Sequence, residues 1–159
     1  MKINISYYLD EHGWSTCWIY ANGRFHEISI THIFQEAPIE EFLNSLIGII
    51  KGDTERQFIW YGEPGGEQIS IKEIPNKKHM VHFKVEGFAE DYGEQIIDLE
   101  TSIEFEIKKQ QLIRMMYFEF KKINELMKDK HYEENRKNEF PFKRFREFEK
   151  NAIKYLEMK

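Results

Sequence analysis

The spacing of apolar residues changes once along this chain, near residue 107. Before that point, short apolar runs mostly alternate with polar residues in steps of two, and after it they recur in steps of three and four. A period of two places side chains on opposite faces of a strand, whereas a period near 3.6 makes one stripe along a helix. The apolar pattern therefore predicts a strand-rich sheet followed by a helical C-terminal third.

The first three strands are predicted at 3–9, 14–20 and 24–31, the last two being joined by Asn22-Gly23. This dipeptide is a strong hairpin signal, because a type I′ turn needs positive φ at both central residues. A two-residue turn also fixes the register, so we expect Tyr20 opposite Phe25 and Trp18 opposite Glu27. The two faces of the hairpin are then Cys17, Ile19, His26, Ile28 and Ile30 on one side, and Trp14, Thr16, Trp18, Tyr20, Phe25, Glu27 and Ser29 on the other.

The remaining pattern predicts a helix at about 37–51, with Pro38 in its first turn and Gly52 after its last. Further strands are expected at 56–61, 68–74, 79–86 and 97–107, with an acidic loop at 88–95. A long helix is expected at about 108–128, then a polar loop or short solvated turn, and then a last helix opened by Pro141. Apolar alternation places Ile97 and Leu99 on the buried face of the 97–107 strand.

These elements predict a single α+β domain over residues 1–159, with a mainly antiparallel sheet of about six to seven strands, one inserted helix and two C-terminal helices. Six residues at the centre of the apolar stripes are expected to be almost fully buried: Leu46, Phe83, Ile103, Phe105, Met116 and Phe145. The expected buried stripe of the long helix consists of Leu112, Met115, Met116, Ile123, Leu126 and Met127, widened by Ile113, Phe118 and Phe120.

Composition narrows the class of protein. The chain has 159 residues, of which 41% are hydrophobic and 32% charged, which is typical of a folded domain with a well-solvated surface. No apolar run approaches the roughly 18 residues of a membrane span. The first residues enter a strand pattern without an apolar signal core, so we expect a cytoplasmic protein that does not bind membranes. The single Cys17 excludes an intramolecular disulfide.

The net charge of −5 conceals an asymmetry between the two parts of the chain. Residues 1–105 hold 8 Lys/Arg and 18 Asp/Glu, a balance of −10, whereas residues 106–159 hold 15 and 10, a balance of +5. One interpretation is that the two parts attract each other within the domain. The other is that an acidic sheet surface binds a basic partner.

The sequence carries no motif for catalysis, cofactor binding or metal binding. His79 and His82 point to opposite faces of a predicted strand, so they cannot chelate one ion, and His12, His32 and His131 lack partners at ligand spacing. The segment 62–67 has glycines but no Lys or following helix, and a hairpin turn explains it better than a phosphate loop. Cys17 is expected to be buried and inert, and Glu104 and Glu106 to lie on a solvated strand face.

Basic and aromatic residues interleave in the last predicted helix, a pattern that can mark nucleic-acid binding. Here Phe142, Phe145 and Phe148 fall at the spacing of a buried helical stripe, beside the basic residues Lys143, Arg144 and Arg146. Core packing explains the aromatic residues without a ligand, and we expect no nucleic-acid partner.

The aromatic face of the first hairpin is the best candidate for a functional surface. If helices cover both faces of the hairpin, these aromatic residues belong to the core; if they cover only the face with Cys17, a patch of Trp, Tyr and Phe stays exposed. The candidate partner-binding residues, including two acidic positions of the last strand, are Trp14, Trp18, Tyr20, Phe25, Glu27, Glu100 and Glu104.

A resemblance adds to this interpretation. Residues 5–14, Ile-Ser-Tyr-Tyr-Leu-Asp-Glu-His-Gly-Trp, an amphipathic helix, and then residues 58–65, Phe-Ile-Trp-Tyr-Gly-Glu-Pro-Gly, together resemble a group of small bacterial proteins that look like the immunity partners of polymorphic toxins. The similarity covers about the first 70 residues in pattern. It implies a cytoplasmic binding protein that neutralises a basic partner, for example a nuclease, through acidic surface.

We therefore expect a non-enzymatic protein-binding module without a cofactor, whose partner is another protein of basic character. The alternative is a small-molecule-binding or hydrolytic enzyme with a pocket between sheet and helices. A flat acidic and aromatic patch would favour the binding module, and a cleft with convergent polar groups would favour the enzyme.

Overall fold

The computed structural model describes residues 2–33, 37–89, 91–92 and 95–157. Seven longer strands in this part of the chain form two antiparallel sheets. The first sheet has the order β1-β2-β3 and consists of β1 (Ile3–Leu9), β2 (Trp14–Ala21) and β3 (Arg24–Thr31). The second has the order β4-β5-β6-β9 and consists of β4 (Glu55–Tyr61), β5 (Gly66–Ile74), β6 (Lys77–Phe88) and β9 (Glu100–Lys108). The two-residue strands β7 (Asp91–Tyr92) and β8 (Gln95–Ile96) pair with each other.

Four α-helices accompany the sheets in the described ranges: α1 (Pro38–Ile50), α2 (Lys109–Leu126), α3 (Lys130–Glu133) and α4 (Phe142–Tyr155). A 3₁₀ turn at Lys137–Glu139 precedes α4. The α+β class and the antiparallel pairing are confirmed, although the strands divide between two sheets. The polar stretch before α4 contains α3, whose first turn is capped by the carboxylate of Asp129, which accepts the backbone N–H groups of His131 and Tyr132.

The β2–β3 hairpin has the register that its turn predicts. Asn22 and Gly23 have φ values of 55° and 79°, as a type I′ turn requires. Tyr20 pairs with Phe25 and Trp18 pairs with Glu27. The predicted register is therefore confirmed, and it decides which side chains of the hairpin share a face.

A cluster of aromatic rings joins both sheets to the helices. The ring of Phe42 on α1 lies 5.6 Å from that of Trp60 on β4 and 5.8 Å from that of Phe120 on α2. Tyr7 of the first sheet contacts the same two rings, at 5.7 and 5.8 Å. The Trp60 indole N–H also donates to the carbonyl of Pro38 at 2.9 Å, which satisfies the one polar atom of the ring.

The six residues expected at the centre of the core are buried, as predicted: Leu46, Phe83, Ile103, Phe105, Met116 and Phe145. Helix α4 buries Phe145 and Phe148 against the core, which is the packing role expected of its aromatic residues. One connected cluster of buried residues draws on both sheets and on α1, α2 and α4.

Helix α2 also covers one edge of the first sheet. The backbone N–H of Tyr7 donates to the carboxylate of Glu119 at 2.9 Å, and that of Ile5 contacts the sulfur of Met115 at 3.2 Å. Both groups lie on the side of β1 that faces away from β2. The helix therefore supplies acceptors to an edge that would otherwise remain open.

The predicted start of the 97–107 strand is wrong. Asp98 has a positive φ of 57°, which interrupts extended backbone, and β9 begins only at Glu100. Ile97 and Leu99 are consequently exposed rather than buried. The acidic loop expected at 88–95 instead contains the end of β6 and the short β7–β8 pair, while residues 90, 93 and 94 lie outside the described residues.

The predicted stripe of α2 is too wide. Phe118 and Leu126 are exposed, whereas Tyr117, which the stripe did not include, is buried. Tyr117 packs on the α4 side of the helix, where its hydroxyl donates to the carboxylate of Glu149 at 3.1 Å. The predicted stripe was assigned from apolar character alone, whereas the position of α4 determines which of these side chains are buried.

Replacing Asn22 by proline should destabilise the protein by more than about 1 kcal/mol, because proline cannot adopt the positive φ that this turn position needs. The matched control is Asn22→Gly, which keeps access to positive φ. Chemical denaturation of both variants measures the difference. Equal stability of Asn22→Pro and the parent protein would contradict the turn assignment.

Replacing Phe105 by alanine should cost roughly 3–5 kcal/mol, the usual range for removal of a core aromatic ring. Phe105 stacks on Phe83 with ring centroids 5.1 Å apart. Leu99→Ala serves as the control, because Leu99 precedes the same strand and is exposed. A loss below about 1 kcal/mol in a denaturant titration would show that Phe105 is not packed as described.

Candidate functional site

The outer face of the first sheet carries the candidate aromatic residues. Strand pairing arranges its outward side chains in rows that cross the three strands: Asn4, Tyr20 and Phe25; Ser6, Trp18 and Glu27; Tyr8, Thr16 and Ser29. Trp14 lies beyond the last of these rows, opposite Thr31. We use the name aromatic face for the surface formed by Tyr8, Trp14, Trp18, Tyr20 and Phe25.

The aromatic face is open to solvent. Phe25 is 64% exposed, Tyr8 is 45% exposed and Tyr20 is 36% exposed, while Trp14 and Trp18 are half-buried. Of the two arrangements compatible with the sequence, the one in which helices cover both faces of the hairpin is therefore wrong. Helices and the second sheet bury the inner face, which contains Cys17, Ile19 and Ile28, and leave these rings at the surface.

Polar contacts hold the centre of this face in place. The Trp18 indole N–H donates to the Glu27 carboxylate at 2.6 Å across the strand pair. The rings of Tyr8 and Trp18 lie 6.1 Å apart in a tilted arrangement. At the edge of the face the Thr16 hydroxyl donates to Asp10 at 2.7 Å. A charge-assisted hydrogen bond restricts the indole, so it is partly ordered before any partner arrives.

The two acidic candidates of β9 belong to the other sheet. Glu100 and Glu104 are exposed on the second sheet, where Glu104 pairs with His82 at 3.0 Å. Lys84 and Glu86 form another pair on β6, at 2.7 Å. Glu27 is thus the candidate carboxylate that lies among the aromatic residues, and the surface around Glu104 is a mixed-charge strand face.

Ion pairs within the domain neutralise part of the charge asymmetry. Lys109 of α2 pairs with Glu73 of β5 at 2.5 Å, and both side chains are largely buried. Arg136 pairs with Glu11 at 3.5 Å. Arg144 of α4 pairs with Glu40 of α1 at the same distance. The basic C-terminal segment therefore contacts the acidic part of the chain, as the first interpretation of the asymmetry required.

A chain of hydrogen bonds that the sequence did not indicate lies at the end of the first sheet. The Ser15 hydroxyl and His32 Nε2 are 2.8 Å apart, and His32 Nδ1 is hydrogen-bonded to the carboxylate of Glu139. Because an ionised carboxylate can only accept, it fixes the proton of a neutral imidazole on Nδ1 and leaves Nε2 to accept from Ser15. This is the order of groups found in a serine hydrolase triad.

Access distinguishes this cluster from a catalytic site. Ser15 is 0% exposed and points to the inner face of the sheet, between Leu9 and Ile30 in the strand pairing. A nucleophile must reach the reacting carbonyl, and a fully buried hydroxyl does not. The cluster instead joins the 3₁₀ turn, which contains Glu139, to the first sheet. Arg136 strengthens this connection by donating to the carbonyl of Leu9 at 2.8 Å.

Burial makes two further groups, the Cys17 thiol and the Tyr7 hydroxyl, unreactive near neutral pH. Burial raises the pKa of the Cys17 thiol well above its usual range, so the reactive thiolate does not form near neutral pH. Burial also raises the pKa of Tyr7, and the neighbouring Ser15 hydroxyl offsets part of that effect. The expectation that Cys17 is buried opposite Ile28 is confirmed.

A cavity lies where β6 and β9 meet the helices. It has a volume of about 340 Å³, and its described lining residues are His79, Lys108, Gln110 and Tyr155. These residues include no Ser, Thr or Cys and no carboxylate. Within the described ranges, no three His, Cys, Asp or Glu side chains come close enough to hold one metal ion. The helices of the same ranges include none that is long and apolar enough to cross a membrane.

Sequence reasoning missed Tyr8 and His32. Tyr8 follows Tyr7 in an alternating strand, which indicated that it faces the other way, but pairing of β1 with β2 was needed to place it beside Trp18. His32 and Glu139 are far apart in the sequence, and no spacing rule connects them.

Replacing Ser15 by alanine should destabilise the protein by about 1–3 kcal/mol, since it leaves the buried Nε2 of His32 without its donor. Ser29→Ala, at an exposed serine of the same sheet, is the matched control. A fluorophosphonate probe should not label the native protein. Labelling that disappears in Ser15→Ala would instead assign a catalytic role to this cluster.

Comparisons with protein-family models, with curated proteins and with solved structures each find no significant match to this chain.

Proposed function

We propose that this protein is a protein-binding module of the immunity type, which neutralises a basic protein partner through the aromatic face and Glu27. The observation that carries the proposal is the exposure of Tyr8, Tyr20 and Phe25 beside the half-buried Trp18 on one sheet face. An exposed group of large aromatic side chains costs solubility, and such groups commonly mark binding surfaces.

The composition of the face suits a protein partner. Trp and Tyr supply large contact areas with few rotatable bonds, and they are enriched among the residues that dominate binding energy. Asn4, Ser6 and Thr16 each lie beside an aromatic residue in the cross-strand rows and offer hydrogen-bonding groups. Because the rings stand on paired strands, little conformational entropy is lost when a partner covers them.

Charge favours a basic partner. Glu27 lies in the middle row of the face, and Asp10 and Glu11 follow at the end of β1. The opposing charges are Lys2, just before β1, and Arg24, at the start of β3. Attraction between the carboxylates on and beside this face and a basic partner would accelerate association.

The alternative function, a hydrolytic or small-molecule-binding enzyme, has less support. The arrangement that most resembles a catalytic triad has its serine fully buried. The cavity beside α2 and α4 presents His79 and Lys108, which can bind an anion but do not by themselves define a reaction.

The test begins with capture of protein partners from the native host, followed by measurement of association and dissociation rates by surface plasmon resonance. Trp18→Ala should accelerate dissociation by about 30-fold, as removal of a binding hot spot does. Association should slow as salt rises, because opposite charges are screened over about 8–10 Å at physiological ionic strength. Charge reversal at Glu100 and Glu104 tests whether the second sheet contributes to the association rate.

Phe118→Ala is the control, because Phe118 is an exposed aromatic residue that lies on α2, outside the aromatic face. It should leave both rates unchanged. A partner whose dissociation ignores Trp18 and whose association ignores salt would refute the proposed surface. Recovery of a bound small molecule without any protein partner would favour the enzyme alternative.

A further inference from the structure

The two edges of the first sheet differ in whether another element covers them. Helix α2 covers the edge of β1, where Glu119 accepts the N–H of Tyr7. At the opposite edge, β2 is the one described strand that pairs with β3. An uncovered edge strand presents a row of backbone donors and acceptors that can pair with another chain.

The register identifies which groups of β3 face outward. Ala21 and Arg24 flank a two-residue turn and form a hydrogen-bonded pair, and such pairs alternate along antiparallel strands. The backbone groups of His26 and Ile28 therefore point to β2, whereas those of Phe25 and Glu27 point away. The outward groups of Phe25 and Glu27 form no hydrogen bond with any residue in the described ranges.

The open stretch has a defined end. A Cβ atom added to Gly62 would lie 3.4 Å from the carbonyl oxygen of Ser29, so the loop after β4 closely approaches β3 at that point. The Thr31 hydroxyl donates to Glu63 of the same loop at 3.3 Å. The free edge thus runs from Arg24 to Ile28, enough for a short extended segment.

Carboxylates flank this edge. Glu27 belongs to the edge itself, and Glu63 lies at its closed end. Glu67 of β5 contacts the ring of His26 at 2.7 Å through one oxygen, while its other oxygen is buried and has no hydrogen-bond partner among the described residues. Arg24 is the cationic residue at the open end. An incoming segment therefore meets mainly negative charge.

We infer that the free edge of β3 binds an extended basic segment of the partner by strand addition, an inference that rests on the proposed function. Backbone pairing with Phe25 and Glu27 supplies main-chain hydrogen bonds. Segment side chains that point to the outer face of the sheet lie beside both Phe25 and Glu27. Lysine or arginine at these positions can pair with Glu27 and Glu63 while its aliphatic stem packs on the Phe25 ring.

A second copy of this chain fits the same edge less well. Pairing of β3 with its own copy brings two sets of the same carboxylates, Glu27, Glu63 and Glu67, to one junction. Like charges placed across a strand pair destabilise it. A foreign basic segment removes that repulsion and gains attraction instead.

The probe is a synthetic peptide of about six residues, the usual length of a strand, that alternates lysine and valine. Two control peptides accompany it: one is N-methylated at alternate amides, which removes the donors that would face β3, and one carries glutamate in place of lysine. Binding to the full chain is followed by NMR titration, together with amide hydrogen exchange at Phe25, His26 and Glu27.

In the free protein, the amides of Phe25 and Glu27 should exchange rapidly, whereas that of His26 should be protected. The lysine peptide should slow exchange at Phe25 and Glu27 by about tenfold or more, and N-methylation or glutamate should weaken binding by at least about tenfold. The glutamate peptide separates the charge requirement from backbone pairing, and the N-methylated peptide leaves the protein unchanged, so folding defects cannot imitate the result.

Equal binding of the N-methylated peptide, or unchanged exchange at Phe25 and Glu27, would refute strand addition. The proposed function of the aromatic face would not be affected, because the Trp18→Ala measurement tests it separately. Absence of binding up to millimolar peptide would also refute the inference. A dimer in sedimentation experiments that dissociates in Glu27→Pro, but not in Glu27→Ala, would assign the edge to a second copy. Loss of the Trp18 effect with intact peptide binding would instead refute only the proposed function of the face.

Discussion

The packing of Phe42 against Trp60 and Phe120 is the contact on which the arrangement of the two sheets depends. These rings come from α1, β4 and α2, and Tyr7 brings β1 into the same cluster. Large aromatic side chains remove much apolar area from water, and their edge-to-face contacts favour particular orientations. The cluster therefore fixes the inner faces of both sheets toward one core and leaves the outer face of the first sheet as its free side.

Local signals in the sequence predicted most elements, because periodicity and turn chemistry act over a few residues. The Asn22-Gly23 turn is sufficient to place Tyr20 opposite Phe25, since a two-residue loop permits one register. The division into two sheets depends on contacts between distant segments, which alternation does not encode. The break at Asp98 was missed for a related reason, because a positive φ at an acidic residue interrupts a strand whose apolar alternation continues.

Long-range polar contacts were equally inaccessible from sequence. Ser15, His32 and Glu139 become neighbours only when the 3₁₀ turn before α4 folds back on the first sheet. Whether the aromatic residues of the hairpin are core or surface also depended on where the helices lie. The sequence restricted the answer to two alternatives, and the placement of α2 at the edge of β1, rather than over Trp18, selects between them.

The inner contacts also explain how an exposed aromatic face can be kept on a stable sheet. On the inner side of the sheet, Cys17, Ile19 and Ile28 are buried. Hydrogen bonds that involve Ser15 and Leu9 hold the 3₁₀ turn before α4 against the end of the sheet. This support leaves the strands little freedom to rearrange, so the rings of Tyr8 and Trp18 cannot bury themselves by local refolding. Exposure of these rings to water is therefore a free-energy cost in the folded protein. Covering these rings would recover hydrophobic free energy without a large ordering cost, which is the condition for tight binding by a small surface.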